Sequence, residues 1–180
     1  MYDRKTSRVL GAQAFGEEGV EKRVDVVAMA LQGQMSLQDL ADVDPAYAPP
    51  YSSANDPVNV AAFVGLNDIS GHSRIVSAEE TRGVLASGDA NARPVLVDVR
   101  NLNEFESAHV RGAINVPVDE LRWRLEEIPR GRPVIVQCRS GFRSHLALRI
   151  LVQNGWTDVR NLTGGFAAVT AAGGFDIETN

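Results

Sequence analysis

Cysteine is almost missing from this chain: one of its 180 residues, Cys138, carries a thiol. A lone thiol allows no internal disulfide, so the fold must be held by its core, and a reducing compartment, the cytoplasm, is the expected location. Histidine is as scarce. His72, His109 and His145 are scattered, there is no C-x-x-C or Cys/His cluster, and no metal is expected. No apolar run approaches the roughly 18–20 residues that span a membrane. The opening segment from Met1 to Arg8 lacks the apolar core of a signal peptide. A G-x-G-x-x-G after a strand is also absent, which removes the usual dinucleotide-binding turn. With a formal net charge of −5 and no long basic run, nucleic-acid binding has no support.

What remains is an ordinary globular composition, 44% hydrophobic and 23% charged, long enough for one domain or for one domain and part of a second. Charge is uneven along it. Residues 1–73 hold five basic and ten acidic residues, whereas residues 74–180 hold thirteen of each. The acidic half reads as solvated surface rather than as an interaction patch.

The first region, residues 1–69, opens on a strand-like stretch from Arg8 to Gly16. Val20, Val24, Val27, Ala28 and Leu31 follow at helical spacing. Ser36 reads as the cap of a second, short helix. Pro49, Pro50 and Pro57 exclude regular structure from Ala46 to Asn59, except that Asp56-Pro57 can open a last helix, Val58 to Val64 or beyond. The polar stretch from Asn67 to Ser73 reads as a linker, with residues 70–73 as its centre.

The second region, residues 74–180, alternates strand and helix. Strands are expected at Arg74–Val76, Pro94–Val99, Ala113–Val116, Pro133–Gln137 and Asp158–Leu162. Helices are expected from the capping box at Ser77 to about Ser87, around Asn103–Ser107, after Asp119 with Leu121, Leu125 and Ile128, and from Ser144 to Gln153. The glycine-rich spots at Thr163–Phe166 and Ala172–Gly174 read as turns. The βα order predicts an α/β fold, a parallel sheet with helices on both faces. Ligands of such sheets sit at the carboxyl ends of strands, where Cys138 falls.

From Cys138 the chain reads C-R-S-G-F-R-S. A thiol at a strand end, a tight loop with glycine and two arginines, and then a helix start favour the thiolate: loop amides, the helix N-terminus and guanidinium groups all stabilise S⁻ over SH. Tyrosine phosphatases use a loop one residue longer, C-x5-R, which cups a tetrahedral phosphate. Here the spacing is C-x4-R, and the shorter ring suits a single sulfane sulfur on the thiolate. The competing reading of Cys138 is an inert buried thiol.

Residues 74–175 resemble a rhodanese domain, on V-L-V-D-V-R, N-E-F, H-V-R-G-A-I-N-V-P, V-I-V-Q-C-R-S-G-F-R-S and N-L-T-G-G-F. The resemblance implies a sulfurtransferase in which Cys138 attacks a sulfane donor, becomes a persulfide and yields the outer sulfur to an acceptor. Arg139 and Arg143 would draw in anionic donors and Gly141 would permit the turn. Ser140 and Phe142 would supply loop amides, and Ser144 would start the helix and hydrogen-bond to the sulfur. Asp98 and Arg100 match the family's D-V-R and read as a structural ion pair below the site rather than as substrate contacts. His109 reads as a turn or packing residue, His145 as an exposed helix residue, and Trp123 and Trp156 as packing residues. Ala108, Arg111 and Val169 depart from the Gly, Pro and Trp common in the family.

Residues 2–69 resemble the end of the dimerisation domain of flavin-dependent pyridine nucleotide-disulfide reductases of the coenzyme A-disulfide reductase type, on R-V-L-G-A-Q-A-F-G and A-Y-A-P-P-Y-S-S-A-N-D-P-V-N. Some members carry a rhodanese domain directly after this segment. The resemblance implies a homodimer and a longer reductase that uses FAD, NAD(P)H and coenzyme A. The chain itself lacks dinucleotide-binding domains, and no cofactor is expected in it. Tyr47 or Tyr51 would be the tyrosine that reaches the partner's flavin; the favoured alternative is that both pack in the Pro-rich loop. Two rivals to sulfur transfer stay open: a non-catalytic dimerisation remnant, and a phosphatase or arsenate reductase on a related fold.

Overall fold

The computed structural model describes residues 1–86 and 93–179. It divides into two compact units, Met1–His72 and Ser73–Asn180. Among the described residues no helix is long and apolar enough to cross a membrane.

In the first unit, α1 (Val20–Gln32) forms where the apolar spacing places it and buries Val27 and Ala30. The next two helices start on reciprocal capping boxes. At α2 (Leu37–Asp42) Ser36 and Asp39 exchange side-chain and backbone hydrogen bonds, and at α3 (Pro57–Ile69) Asp56 and Asn59 do the same, with Pro57 in the first turn. Asn59 also donates from Nδ2 to the carbonyls of Leu40 (3.1 Å) and Val43 (2.8 Å), which fills acceptors left open at the end of α2. Val9, Val27, Leu37, Leu40, Val58 and Ala62 form the core of this unit.

Three expectations change here. Asn67, Asp68 and Ile69 belong to α3, not to a linker: Tyr2 and Arg4 bind the Asp68 carboxylate and Ile69 packs on the core, so tertiary contacts carry the helix on. Arg8–Gly16 is not a strand. Its pairing is confined to single bridges, Tyr2 with Val9 and Arg8 with Ser36, because two different segments each offer one partner residue and neither offers a ladder. Tyr47 and Tyr51, expected to pack in the Pro-rich loop, are largely open to solvent, 52% and 85% exposed.

The second unit runs β1 (Ile75–Val76), α4 (Ala78–Leu85), β2 (Val95–Asp98), α5 (Leu102–Ser107), β3 (His109–Val110), β4 (Ile114–Asn115), β5 (Val134–Gln137), α6 (Phe142–Gln153), β6 (Val159–Leu162), α7 (Gly165–Ala172) and β7 (Ile177–Glu178). The expected end of α4 at Ser87 lies outside the described residues. Strands β1, β6, β5, β2 and β4 form a parallel sheet in that order, with β5 at its centre. Every residue of β2 and β5 is buried, as strands covered on both faces require. Successive residues then serve opposite cores. Val95, Val97, Val134 and Val136 pack with Leu148 and Leu151 of α6, whereas Leu96 and Ile135 pack with Val169 of α7.

Other departures are local. The helix expected after Asp119 is two 3₁₀ turns, Leu121–Trp123 and Leu125–Glu127, interrupted at Arg124, where φ is −123°. Leu121 and Ile128 still reach the core, but Trp123, expected to pack, is 76% exposed, unlike the buried Trp156, whose Nε1 donates to the Pro129 carbonyl. The glycines at 164 and 165 open helix α7 instead of a simple turn, and β7 adds an antiparallel pairing with β3. His109 fits its packing role: its ring stacks on Phe105, and Nε2 lies 3.0 Å from Glu178.

Candidate active site around Cys138

Cys138 directly follows β5, and the loop behind it folds back so that its donors face the sulfur. The Gly141 N–H donates to Sγ at 3.1 Å and the Ser144 hydroxyl lies 3.4 Å away. Cys138 is 1% exposed. Burial, the largest single influence, pushes the thiol pKa up. The Ser144 hydroxyl and the N–H groups of Ser144, Gly141 and Ser140 outweigh it together and hold the thiol below the ordinary cysteine value. The site is therefore a buried, amide-lined anion hole around one sulfur atom. Gly141 caps α6 with φ 119°, a backbone that suits glycine, and the helix starts at Phe142, two residues ahead of the expected Ser144.

The carbonyls of the same loop are held from outside. The N–H groups of Phe166 and Ala167, in the first turn of α7, donate to Cys138 O (2.7 Å) and Arg139 O (3.1 Å). Gly165 makes that approach possible: a Cβ there would stand 2.3 Å from Cys138 O. Asn161 of β6 adds a third tie, donating from Nδ2 to Gly141 O (3.0 Å) and accepting from the Ser144 hydroxyl at Oδ1 (2.7 Å). A serine hydroxyl has one proton to give, so Asn161 Oδ1, the Gly141 carbonyl (3.0 Å) and Sγ compete for it.

Asp98 and Arg100 form the structural pair expected of them. Arg100 donates from Nε and Nη2 to Asp98, the closest contact being 2.6 Å, and from Nη2 to Ala108 O at 2.8 Å. Its guanidinium also lies 4.1 Å over the Phe166 ring, and Gln137 donates to Asp98 from the neighbouring strand. Both charged groups are buried and neither faces the loop mouth as a free ion.

Arg139, Ser140 and Phe142 point outward and are exposed, Phe142 by 71%. Arg143, expected with Arg139 to draw in anionic donors, is engaged by a carboxylate. Glu104 holds its guanidinium by two hydrogen bonds, 2.6 and 2.9 Å. His145 is half-buried rather than exposed, and burial followed by the nearby Arg149 charge lowers its pKa, so the ring is neutral at neutral pH. Glu104, Asn161 and Gly165 are site residues that reading the loop alone misses. Glu104 lies in the N-E-F segment and the other two in N-L-T-G-G-F, so family-like segments away from the thiol were the available signal. A cavity of about 510 Å³ opens beside Arg82, Pro94 and Arg111, and no residue of the Cys138 loop lines it. Hydrogen-bonding chemistry, not cavity size, locates the site.

Residues 77–172 match the rhodanese-like domain family, more than half of the chain. The chain belongs to the rhodanese-like family. Its rhodanese-like unit is thus a sulfur-transfer module in general terms. The protein YqhL of Bacillus subtilis (strain 168) is 45% identical over 71 residues, 39% of this chain and 56% of YqhL. The coenzyme A disulfide reductase of Staphylococcus aureus (strain bovine RF122 / ET3-1) is 42% identical over 62 residues, 34% of this chain and 14% of that protein. Two solved structures extend the likeness beyond the rhodanese-like unit. Reduced Bacillus anthracis CoADR-RHD is 39% identical with a TM-score of 0.77, covering 84% of this chain and 26% of that one. A NAD-dependent persulfide reductase from A. fulgidus is 40% identical with a TM-score of 0.79, covering 92% of this chain and 29% of that one. The chain therefore spans 14% to 56% of the length of these relatives.

Proposed function

We propose that this chain carries sulfane sulfur on Cys138. The Cys138 thiolate attacks the outer sulfur of a donor such as thiosulfate, a polysulfide or a thiol persulfide. A bond forms between Sγ and that sulfur, the donor's own S–S bond breaks, and its electron pair leaves on sulfite, a polysulfide one sulfur shorter or a thiolate. The outer sulfur of the resulting persulfide is anionic, and the amides of Ser140, Gly141 and Ser144 can hold it. A nucleophilic acceptor takes that sulfur and restores the thiolate. The observation that carries this reading is the convergence of these N–H groups and the Ser144 hydroxyl on one buried Sγ in a C-x4-R loop.

The wider context is a coenzyme A-disulfide or persulfide reductase-like enzyme of the cytoplasm, in which this chain is the sulfur-delivering portion. FAD, NAD(P)H and coenzyme A belong to that longer enzyme. Gly165, which follows β6 after two turn residues, is committed to close approach to the Cys138 loop, so the glycine pair at 164 and 165 does not serve as a dinucleotide cradle. Self-association through the first unit fits the exposed stripe Val60, Phe63 and Val64, at i, i+3 and i+4 on α3.

The test is transfer of sulfur from thiosulfate to cyanide, with the mass of the protein read after donor alone. The intact chain is expected to gain one sulfur atom on Cys138 and to turn over. Cys138→Ser should do neither. An intact chain that gains no sulfur from any donor would leave only a dimerisation role, and hydrolysis of a phosphate ester would move the reading to phosphatase chemistry.

A further inference from the structure

Arg143 ends the C-x4-R spacing, and a guanidinium there would ordinarily make the mouth of the loop cationic. The fold cancels it. Glu104 stands at the third position of α5, where its carboxylate completes the capping box with Asn101 and grips Arg143 from 39 residues away in sequence. The pair is partly open to solvent, with side-chain exposures of 32% for Arg143 and 28% for Glu104. Glu104 stays ionised at neutral pH: the Arg143 hydrogen bonds hold its pKa below the usual glutamate value against the effect of burial. Arg143 in turn senses the charge of Cys138. The other guanidinium close by, Arg100, is neutralised by Asp98. Among the described residues this leaves Arg139 as the loop cation with no carboxylate within ion-pair distance.

We propose that Glu104 is a specificity-determining residue: by engaging Arg143 at two points beside the Cys138 loop, it biases the site against doubly charged sulfane donors and towards donors of lower charge. This rests on the sulfur-transfer reading above and names the donor class of that same site. Thiosulfate brings two negative charges to a mouth whose arginine is already matched by a carboxylate, so part of any attraction is offset by repulsion from Glu104. A thiosulfonate or a thiol persulfide brings one at the group that enters the loop. The sulfur chemistry is the same for each, since the donor's outer sulfur passes to Cys138 and the remainder leaves with the bonding electron pair as sulfite, sulfinate or thiolate.

The experiment compares thiosulfate with methanethiosulfonate, a donor of similar shape with one charge fewer, using the full chain and Glu104→Gln. Glutamine keeps the volume and can complete the capping box, so the fold is retained. The expected result is a KM for thiosulfate lowered about three- to tenfold in Glu104→Gln, and one for methanethiosulfonate lowered clearly less, with the difference shrinking as salt is raised. A change in the Cys138 thiolate fraction alters both donors alike, so the ratio of the two KM values reads the charge at the mouth. An unchanged ratio in a chain that transfers sulfur overturns this inference and leaves the sulfur-transfer reading standing. A chain that transfers sulfur from neither donor and shows no Cys138 persulfide overturns that reading itself.

Discussion

A buried thiol has two opposed tendencies, and Cys138 shows which prevails. Desolvation raises its pKa, and the hydrogen bonds of the loop reverse the outcome. The thiolate fraction rises with pH, and its midpoint should lie below the ordinary cysteine value. Following alkylation by iodoacetamide against pH should place it there. Ser144→Ala removes the hydroxyl while keeping the helix, so the midpoint should move upward, with slower alkylation below it. Asn161 modulates this effect, because its Oδ1 is closer to the Ser144 hydroxyl than Sγ is, 2.7 against 3.4 Å. At Arg100 the issue is stability. Arg100→Met leaves Asp98 buried without its cation, a change that costs about 3–5 kcal/mol. Urea unfolding should show the loss, and Asp98→Asn together with Arg100→Met should recover part of it.

Elements anchored by local signals were legible in the sequence. Ser36, Asp56 and Ser77 each carry a cap that is complete within four residues, and α2, α3 and α4 begin where those caps stand. Strands β2 and β5 read as buried because the run Val95–Val97 and the run Val134–Val136 admit no polar face. Elements settled by distant contacts were not legible. The two residues of β7 are too few to signal a strand and exist by pairing with β3. Helix α7 begins on two glycines that read as a turn, yet its first amides are consumed by the carbonyls of Cys138 and Arg139. The Glu104–Arg143 pair joins α5 to α6, and nothing in either segment alone points to the other. The α7 contact gives a prediction at this scale. Gly165→Ala meets Cys138 O and a left-handed φ of 56° at once, and the backbone alone costs about 1–2 kcal/mol. A lower melting temperature and a slower Cys138 alkylation should appear together.

At the scale of the whole chain the two units differ in what they leave uncovered. The rhodanese-like unit closes its sheet between two apolar cores and exposes residues such as Trp123 and Phe142, whereas α3 of the first unit presents Val60, Phe63 and Val64 to solvent at helical spacing. Sedimentation velocity should find the chain as a dimer at micromolar concentration, and Phe63→Glu should shift it towards the monomer while leaving sulfur transfer on Cys138 intact. A chain that sediments as a monomer throughout would remove the self-association reading without touching the chemistry. The tethering of the Cys138 loop by α7 carries a last consequence, for how this sequence can drift in evolution. Because the carbonyls are fastened from behind, the donors in front are set before any sulfur arrives, and little rearrangement is left for the reaction to drive. Residues 161–167, which touch no donor in the proposed chemistry, then share the mutational intolerance of the thiol loop. The two segments should change in concert or not at all.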